Sequence, residues 1–394
     1  MRAILRGRLA IKSHDDIGVD TGIVVQDDTI IDVDKFSEVA RREGNTPVRD
    51  FDGIILPGLI NAHTHLELSA FRNFPHKDFV DWVLKLMDAR TSLMGQDLHH
   101  ESLNAKREAE ECGTAYFVNV GNDYNLNLSF GNNQLFQFEQ IGINNSSAEK
   151  IFDRSLPFIN RQKGVKTALA IHAPYSVSPT LMKKIKAHNN SRGAITSIHL
   201  AEIPEEIEFI RTGKGRMVDL LNARVGNWRF DATNLSPVEY VDSLGILDNR
   251  TLCVHCVFVD ENDLKLLAER GSAVAFCVRS NRELSAKTPD LEKFLKHRIR
   301  ILLGTDSRAS SPDIDMFSEV AAFYNEYHDV ATPGGIFRMV TSDAADFFGI
   351  KNRYGTMARG MSASLVHIPF DGKAGDAFEF LVTEGKGKAK AIDY

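Results

Sequence analysis

Two histidines one residue apart, His63 and His65, follow the apolar run Ile54-Ile55-Leu56 and the segment Pro57-Gly58-Leu59-Ile60-Asn61-Ala62. The run reads as the start of a buried strand. Side chains alternate between the faces of a strand, so both imidazoles point the same way. Two imidazoles side by side on a rigid strand can bind one divalent metal. Taken alone they read more readily as ordinary half-buried histidines, because short motifs recur by accident. Groups of the same chemistry recur further on. They are His172, His199 with Glu202 three residues later, His255, and Asp306 in Gly304-Thr305-Asp306-Ser307. Three histidines and one aspartate make an N/N/N/O set that suits Zn2+ or Fe2+ and leaves a position for water.

Residues this far apart meet only if the fold gathers them. Residues 1–53 read as short strands and turns, including two β runs around Asp27-Asp28. From residue 54, short apolar runs alternate with helical patterns, which marks βα units and a parallel sheet. Eight strands are predicted: one starting at 54, then 114–120, 134–138, 166–171, 194–200, 251–256, 272–277 and 300–303. A helix over 77–90 has Phe79, Val80, Val83, Leu84 and Met87 on one face. A second covers 97–111 and stops before Gly113. Ser178-Pro179 and Ser311-Pro312 read as N-cap-then-proline starts. Asp260 can cap 261–270, which Gly271 ends. The last helices are predicted over 314–327 and 336–348. The polar stretch 123–133 reads as a loop, 144–159 gives no clear pattern, and 364–368 and 377–382 read as strands. The fold class is α/β: one eight-unit barrel over 54–354, with residues 1–53 and 355–394 pairing as a small β domain. In such a barrel the C-terminal strand ends converge on one mouth. His63, His65, His172, His199, His255 and Asp306 all fall at predicted strand ends.

The chain has 394 residues, 43% of them hydrophobic, which is ample for a large core. A formal net charge of -6 argues against general binding to nucleic acid or anionic membranes. No apolar run is long enough to span a bilayer, and Met1-Arg2-Ala3-Ile4-Leu5-Arg6 turns polar too soon for a secretory signal. The four cysteines, Cys112, Cys253, Cys256 and Cys277, show no disulfide framework. A cytoplasmic location is therefore expected. On a strand Cys253 shares a face with His255 while Cys256 points away, so the pair reads as structural thiols. The lysine-rich stretch 385–390 reads as a solvated edge.

In order, His63-x-His65, His199-x-x-Glu202, His255 and Gly304-Thr305-Asp306-Ser307 resemble the amidohydrolase superfamily. The branch is the mononuclear one, cytosine-deaminase-like and triazine-hydrolase-like. Residues 57–65, His172-Ala173-Pro174-Tyr175-Ser176, Arg279-Ser280-Asn281 and 355–366 are similar to further blocks of that family. The resemblance spans nearly the whole chain. Ser364 stands where the closing block commonly carries aspartate, and 122–152 matches no block. The resemblance implies a (β/α)8 TIM barrel with a small β-sandwich domain formed by both termini. It implies that His63, His65, His199 and Asp306 hold one divalent ion, Zn2+ or Fe2+, which acidifies water toward neutrality. It further implies that His255 and Asp306 orient and deprotonate that water. Glu202 then shuttles the proton to a ring nitrogen and on to the leaving amine.

The implied reaction is hydrolytic deamination of an amino-substituted aromatic heterocycle: a purine, a pyrimidine or a nucleoside. The aminodeoxyfutalosine, S-adenosylhomocysteine and adenosine deaminases are the relatives it is most similar to. Ring opening of a cyclic amide, or displacement of chloride or an amine from an s-triazine, would use the same site. A metal-containing barrel that only binds ligands has no need of Glu202. Deaminases with cysteine ligands need an H-x-E…P-C-x-x-C pattern, which is absent. A small-molecule substrate, no nucleic-acid or membrane partner, and a homodimer complete the expectation. For substrate contacts, His172 could bond a ring or a sugar, or simply pack. Glu67 could point into the mouth or stay at a helix entry. Asp81 and Trp82 lie where related nucleoside deaminases hold a ribose, the plainer reading being an exposed aspartate beside a packing tryptophan. Asn281 and Arg279 could line the pocket, or Arg279 could fix its loop by pairing with a carboxylate. His76, His99 and His100 read as solvated.

Overall fold

Alternating apolar residues make the N-terminal segment a sheet with two buried faces. In the computed structural model, which describes residues 2–72, 75–93, 95–123, 130–159, 165–226 and 229–393, the first strands are β1 (Arg2–Ser13), β2 (Asp16–Gln26), β3 (Thr29–Lys35) and β4 (Val48–Pro57). Leu5 pairs with Ile23, and Ile4 with Val24, across β1 and β2. Leu5, Ile23 and Val25 share one core with Ile55 and Leu365. Ile4 and Val24 pack on the other face against Val39 of the helix Phe36–Glu43.

The barrel strands follow: β5 (Leu59–Thr64), β6 (Thr114–Gly121), β7 (Gln134–Gln140), β8 (Lys166–Ile171), β9 (Thr196–Leu200), β10 (Thr251–His255), β11 (Ala273–Phe276) and β12 (Ile301–Leu303). They form one eight-stranded sheet in chain order. The ladders from β7 to β12 are parallel. β6 is buried along its whole length, as a strand covered on both faces must be. Thr64 bridges to Asp306 in parallel, and the Asp306 N–H donates to the His63 carbonyl at 3.1 Å. The first strand thus meets the segment after the last. Gly304 permits this approach, because a Cβ there would lie 2.8 Å from the His63 backbone nitrogen and oxygen. Seven of the eight predicted barrel strands are present where expected, and the first starts at Leu59 rather than at residue 54.

Two short strands close the chain, β13 (Leu365–Ile368) and β14 (Lys390–Ala391), giving a six-stranded terminal sheet in the order β14-β13-β4-β1-β2-β3. Ile54-Ile55-Leu56 belongs to this sheet. These residues lie in β4, opposite Val366, His367 and Ile368 of β13, and do not start the barrel's first strand. The chain changes sheet at Gly58, whose N–H donates to the Ser364 carbonyl and whose missing Cβ would sit 2.6 Å from that of Ala115. The predicted strand 377–382 is instead the helix Ala377–Glu384, with Ala377, Leu381 and Val382 buried. Helical spacing of those three decides a short apolar run that periodicity leaves ambiguous. Lys386, Lys388 and Lys390 are exposed beside the sheet edge.

Helices fill the intervals. Ser178 caps Pro179–Ser191, and Asp260 caps Glu261–Arg270, which ends at Gly271 with φ 70°. The unassigned segment 144–159 contains the helix Ala148–Ile159. Ser311-Pro312 starts no helix; Asp315 caps Met316–Tyr327 instead. The span 336–348 is broken at Thr341 into Pro333–Met339 and Ser342–Phe347. Of the predicted loop 123–133, residues 124–129 lie outside the described residues. Two compact units result: Met1–Ala62, Lys106–Phe117 and Ile314–Tyr394 form one, His63–Ala105 and Val118–Asp313 the other. Every candidate site residue belongs to the second. Among the described residues no helix is long and apolar enough to cross a membrane.

Candidate active site

The strand ends bring three imidazoles together. His63 lies in β5, His65 just past it, and His199 next to last in β9. Nε2 of His199 is 3.3 Å from Nε2 of His63 and 3.3 Å from Nε2 of His65. Asp306, just past β12, places Oδ1 3.7 Å from Nε2 of both His63 and His65. Hydroxyls of Ser280 and Ser310 donate to its Oδ2 at 2.6 and 2.8 Å, so Oδ1 is the oxygen left facing the rings. Burial lowers the pKa of His63 and His199 well below the usual value, which leaves neutral rings. His199 donates through Nδ1 to the His172 carbonyl at 2.7 Å, so its Nε2 carries the lone pair. Neutral nitrogens converging on one point suit a cation. A tetrahedral ion with metal–nitrogen bonds of about 2.0–2.1 Å sets its ligand nitrogens about 3.3–3.4 Å apart, matching this spacing. The residues therefore fit a divalent ion. Glu139, His172 and His199 also lie within 4.8 Å of one another. That grouping makes no second centre with the back of His199, whose Nδ1 is occupied by its proton.

Beside this cluster stands a proton-handling pair. His255 Nε2 is 3.4 Å from Glu202 Oε1, and His255 Nδ1 is 2.8 Å from Asn281 Oδ1. An amide oxygen only accepts, so Nδ1 carries the proton and Nε2 offers its lone pair toward Glu202. Burial, and then the charge of Asp306, raise the Glu202 pKa well above the usual carboxylate range. Burial also lowers His255. For Asp306 burial acts upward, but His65, His255, His63 and the Ser280 hydroxyl hold it below its ordinary value. The backbone here is strained. Ala201, His255, Cys256 and Asp306 have φ of 51°, 74°, 49° and 57°. Left-handed geometry costs a non-glycine residue about 1–3 kcal/mol and persists only where surroundings impose it. At Ala201 the Glu206 carboxylate does so, accepting from the N–H groups of Ala201 and Glu202 at 3.0 Å each.

The family model described as Amidohydrolase family matches residues 54–386. The chain belongs to the amidohydrolase family. Among its amidohydrolase relatives, a 5-methylthioadenosine/S-adenosylhomocysteine deaminase of Pelotomaculum thermopropionicum is 27% identical over 383 residues, covering 92% of this chain and 83% of that one. The structure of Helicobacter pylori aminofutalosine deaminase in complex with methylthio-coformycin superposes with a TM-score of 0.82 at 22% identity, over 99% of this chain and 97% of that one. An adenosine deaminase from Xanthomonas campestris with bound zinc gives 0.77 at 20% identity, over 96% and 88%.

Around the amidohydrolase site the remaining predicted residues fall into two groups. His172, just past β8, is at the cluster: its ring centroid is 5.3 Å from that of His199, and its Nδ1 is 2.5 Å from the Ser176 hydroxyl. Burial lowers its pKa to about 4. Asn281 is at the site through His255. Glu67 is buried but engaged elsewhere. Oε1 accepts from Arg90, and Oε2 from the N–H groups of Asn122 and Asp123. Asp81 accepts from the Lys77 N–H and from Lys85. Trp82 is buried, and its indole N–H donates to the Ala309 carbonyl at 3.1 Å, tying the helix Phe79–Ser92 to the segment after Asp306. Arg279, in the helix Val278–Ser285, donates to the Asp313 side chain and carbonyl and so pairs with a carboxylate. Cys253, Cys256 and Cys277 are buried and not in disulfides.

Sequence reasoning passed over Ser280, Ser310, Glu206 and Glu139. Ser280 was within reach, since it lies inside Arg279-Ser280-Asn281. Glu139 lies one residue beyond the predicted strand 134–138, and extending that strand to its true end would have put it at the barrel mouth. Ser310 and Glu206 gave no signal, because each acts through a contact formed only once the chain is folded.

Proposed function

We propose that this amidohydrolase deaminates an adenine nucleoside with a modified 5′ position, releasing ammonia. The observation that carries the reading is the juxtaposition of Glu202 and His255, 3.4 Å apart, with a cluster of three imidazoles and Asp306. The curated relative named for methylthioadenosine and S-adenosylhomocysteine supports the substrate class. In this reading His63, His65, His199 and Asp306 hold one zinc ion. Zinc is preferred to iron because neutral imidazoles with one carboxylate at tetrahedral spacing suit it. When bound, such an ion lowers the pKa of water to near neutrality and so supplies a nucleophile at physiological pH.

The chain's own residues do the rest. Asp306, fixed by two serine hydroxyls, and His255, fixed by Asn281, orient the attacking oxygen and take its proton. Glu202, held protonated by burial, donates to the ring nitrogen beside the C–N bond under attack. It then carries a proton to the departing amine. Water and the aminated ring become the oxo ring and ammonia, so atoms and protons balance. A cytoplasmic homodimer belongs to the same reading, with light scattering as the check on assembly.

The test is a screen of zinc-loaded protein against methylthioadenosine, S-adenosylhomocysteine, adenosine and aminodeoxyfutalosine. Each positive should give one ammonia per substrate and the absorbance change from adenine to hypoxanthine. Turnover without ammonia, as in cyclic-amide ring opening, overturns the reading. So does inertness toward all four. The orienting role of Asn281 has its own check. Asn281→Ala should lower kcat roughly 10-fold with metal content and KM little changed, because it frees the His255 ring without touching the ion.

A further inference from the structure

Glu139 is a buried carboxylate for which the protein supplies only half of the expected partners. It lies near the C-terminal end of β7 and is 7% exposed. Oε2 accepts from the Asn122 amide at 3.4 Å. Oε1 is buried without any hydrogen-bond partner. That oxygen stands 3.9 Å from Nδ1 of His199, on the side of the ring opposite the nitrogen that faces His63 and His65. The carboxylate is braced from behind. Asn122 accepts from Arg90 at 2.8 Å, and the same Arg90 nitrogen donates to Glu67 at 2.8 Å. Glu67 in turn holds the backbone N–H groups of Asn122 and Asp123. A buried carboxylate oxygen left unpaired is unfavourable unless opposite charge arrives from elsewhere.

We infer that Glu139 is a positioning residue for the ion site, its charge set behind His199 so that the ring binds a cation more tightly. This rests on the proposal that His63, His65, His199 and Asp306 hold a divalent ion. When an imidazole gives its lone pair to a cation, positive charge spreads to the opposite N–H. An acceptor or anion behind that N–H raises the ring's basicity as a ligand. Here the His172 carbonyl takes the hydrogen bond and Glu139 adds the charge. The chain Glu67–Arg90–Asn122–Glu139 then has one purpose: to keep that charge next to the ring. Glu67 thus bears on the site through three intermediates, with no need to touch a substrate.

The experiment compares zinc affinity of wild type and Glu139→Gln by competition with a chromophoric chelator. The amide keeps the shape and removes the charge. The variant should bind zinc roughly 10–100-fold more weakly. Its metal-free form should melt at or above the wild-type temperature, because a buried charge is gone. Visible bands of the cobalt(II)-loaded protein should also shift, reporting a changed ligand field. A purely structural role would lower the metal-free melting temperature and leave affinity and bands alone. Affinity within twofold of wild type overturns the inference while the ion site stands. If wild type itself binds no ion, the reading of the site falls and takes this inference with it. Should Glu139→Gln not accumulate folded, Asn122→Ala, which keeps the charge but cuts its tether, is read in the same assay. Unchanged affinity there overturns the inference equally.

Discussion

Glu202→Gln keeps its metal and loses activity, with kcat down roughly 10²–10⁴-fold, the range for removing a positioned acid–base group. That is about 3–5 kcal/mol of transition-state stabilisation. The expectation follows from geometry and burial. Glu202 faces His255 Nε2 at 3.4 Å, and burial and Asp306 favour its protonated form. Glutamine has nearly the same shape and is neutral, as the protonated acid is. Packing, and the bonds that the Ala201 and Glu202 N–H groups donate to Glu206, are therefore preserved. What is lost is the transferable proton. The pH profile gives a second reading. A carboxyl with a raised pKa stays protonated above the usual range and loses its proton as pH climbs through the raised value. Wild-type activity should fall along that alkaline limb, and the residual activity of the variant should lack it. Metal analysis, kcat and pH profiles on one preparation settle the matter; a variant with wild-type kcat removes Glu202 from the mechanism.

Removing the metal should abolish turnover and soften the fold together. Among the described residues, His63, His65 and His199 form a largely buried group whose nitrogens converge beside the Asp306 carboxylate. An ion present at about 1,000 times its Kd stabilises the native state by about 4 kcal/mol. For a chain of this length that corresponds to a fall of about 5 °C in Tm on chelation. Activity should drop to a few per cent or less, on the order of the contribution of an ion that acidifies water. One equivalent of zinc should restore both properties. Calorimetry and ammonia release on the same chelated and reconstituted samples make the measurement. A chelated protein that keeps full activity, with no metal by elemental analysis, sinks the ion site.

Much of this was legible in the sequence because it rests on local periodicity. Eight apolar runs with helical intervals specify a parallel barrel. A barrel then places His63, His65, His172, His199, His255 and Asp306 at one end without further information. The misreadings were of two kinds. Ile54-Ile55-Leu56 is apolar enough for either sheet, and only its pairing with β1 and β13, remote in sequence, assigns it to the terminal one. Residues 377–382 are a short apolar run that suits strand or helix until neighbours choose.

The sequence by itself determined the element types and the set of chemical groups at the barrel mouth, because both follow from spacings of two, three and four residues along one chain. Only the tertiary structure decided what each polar group does there. Glu67 lies just beyond β5 and Glu139 near the end of β7, and nothing in their neighbours along the chain distinguishes their roles. Folding gives Glu67 an arginine and two amide hydrogens, while it leaves one oxygen of Glu139 bare behind His199. Serines from a helix and from a loop, Ser280 and Ser310, select which oxygen of Asp306 faces the rings. Such roles depend on distances of about 3 Å between segments remote in sequence, since hydrogen bonds and ion coordination act only at contact.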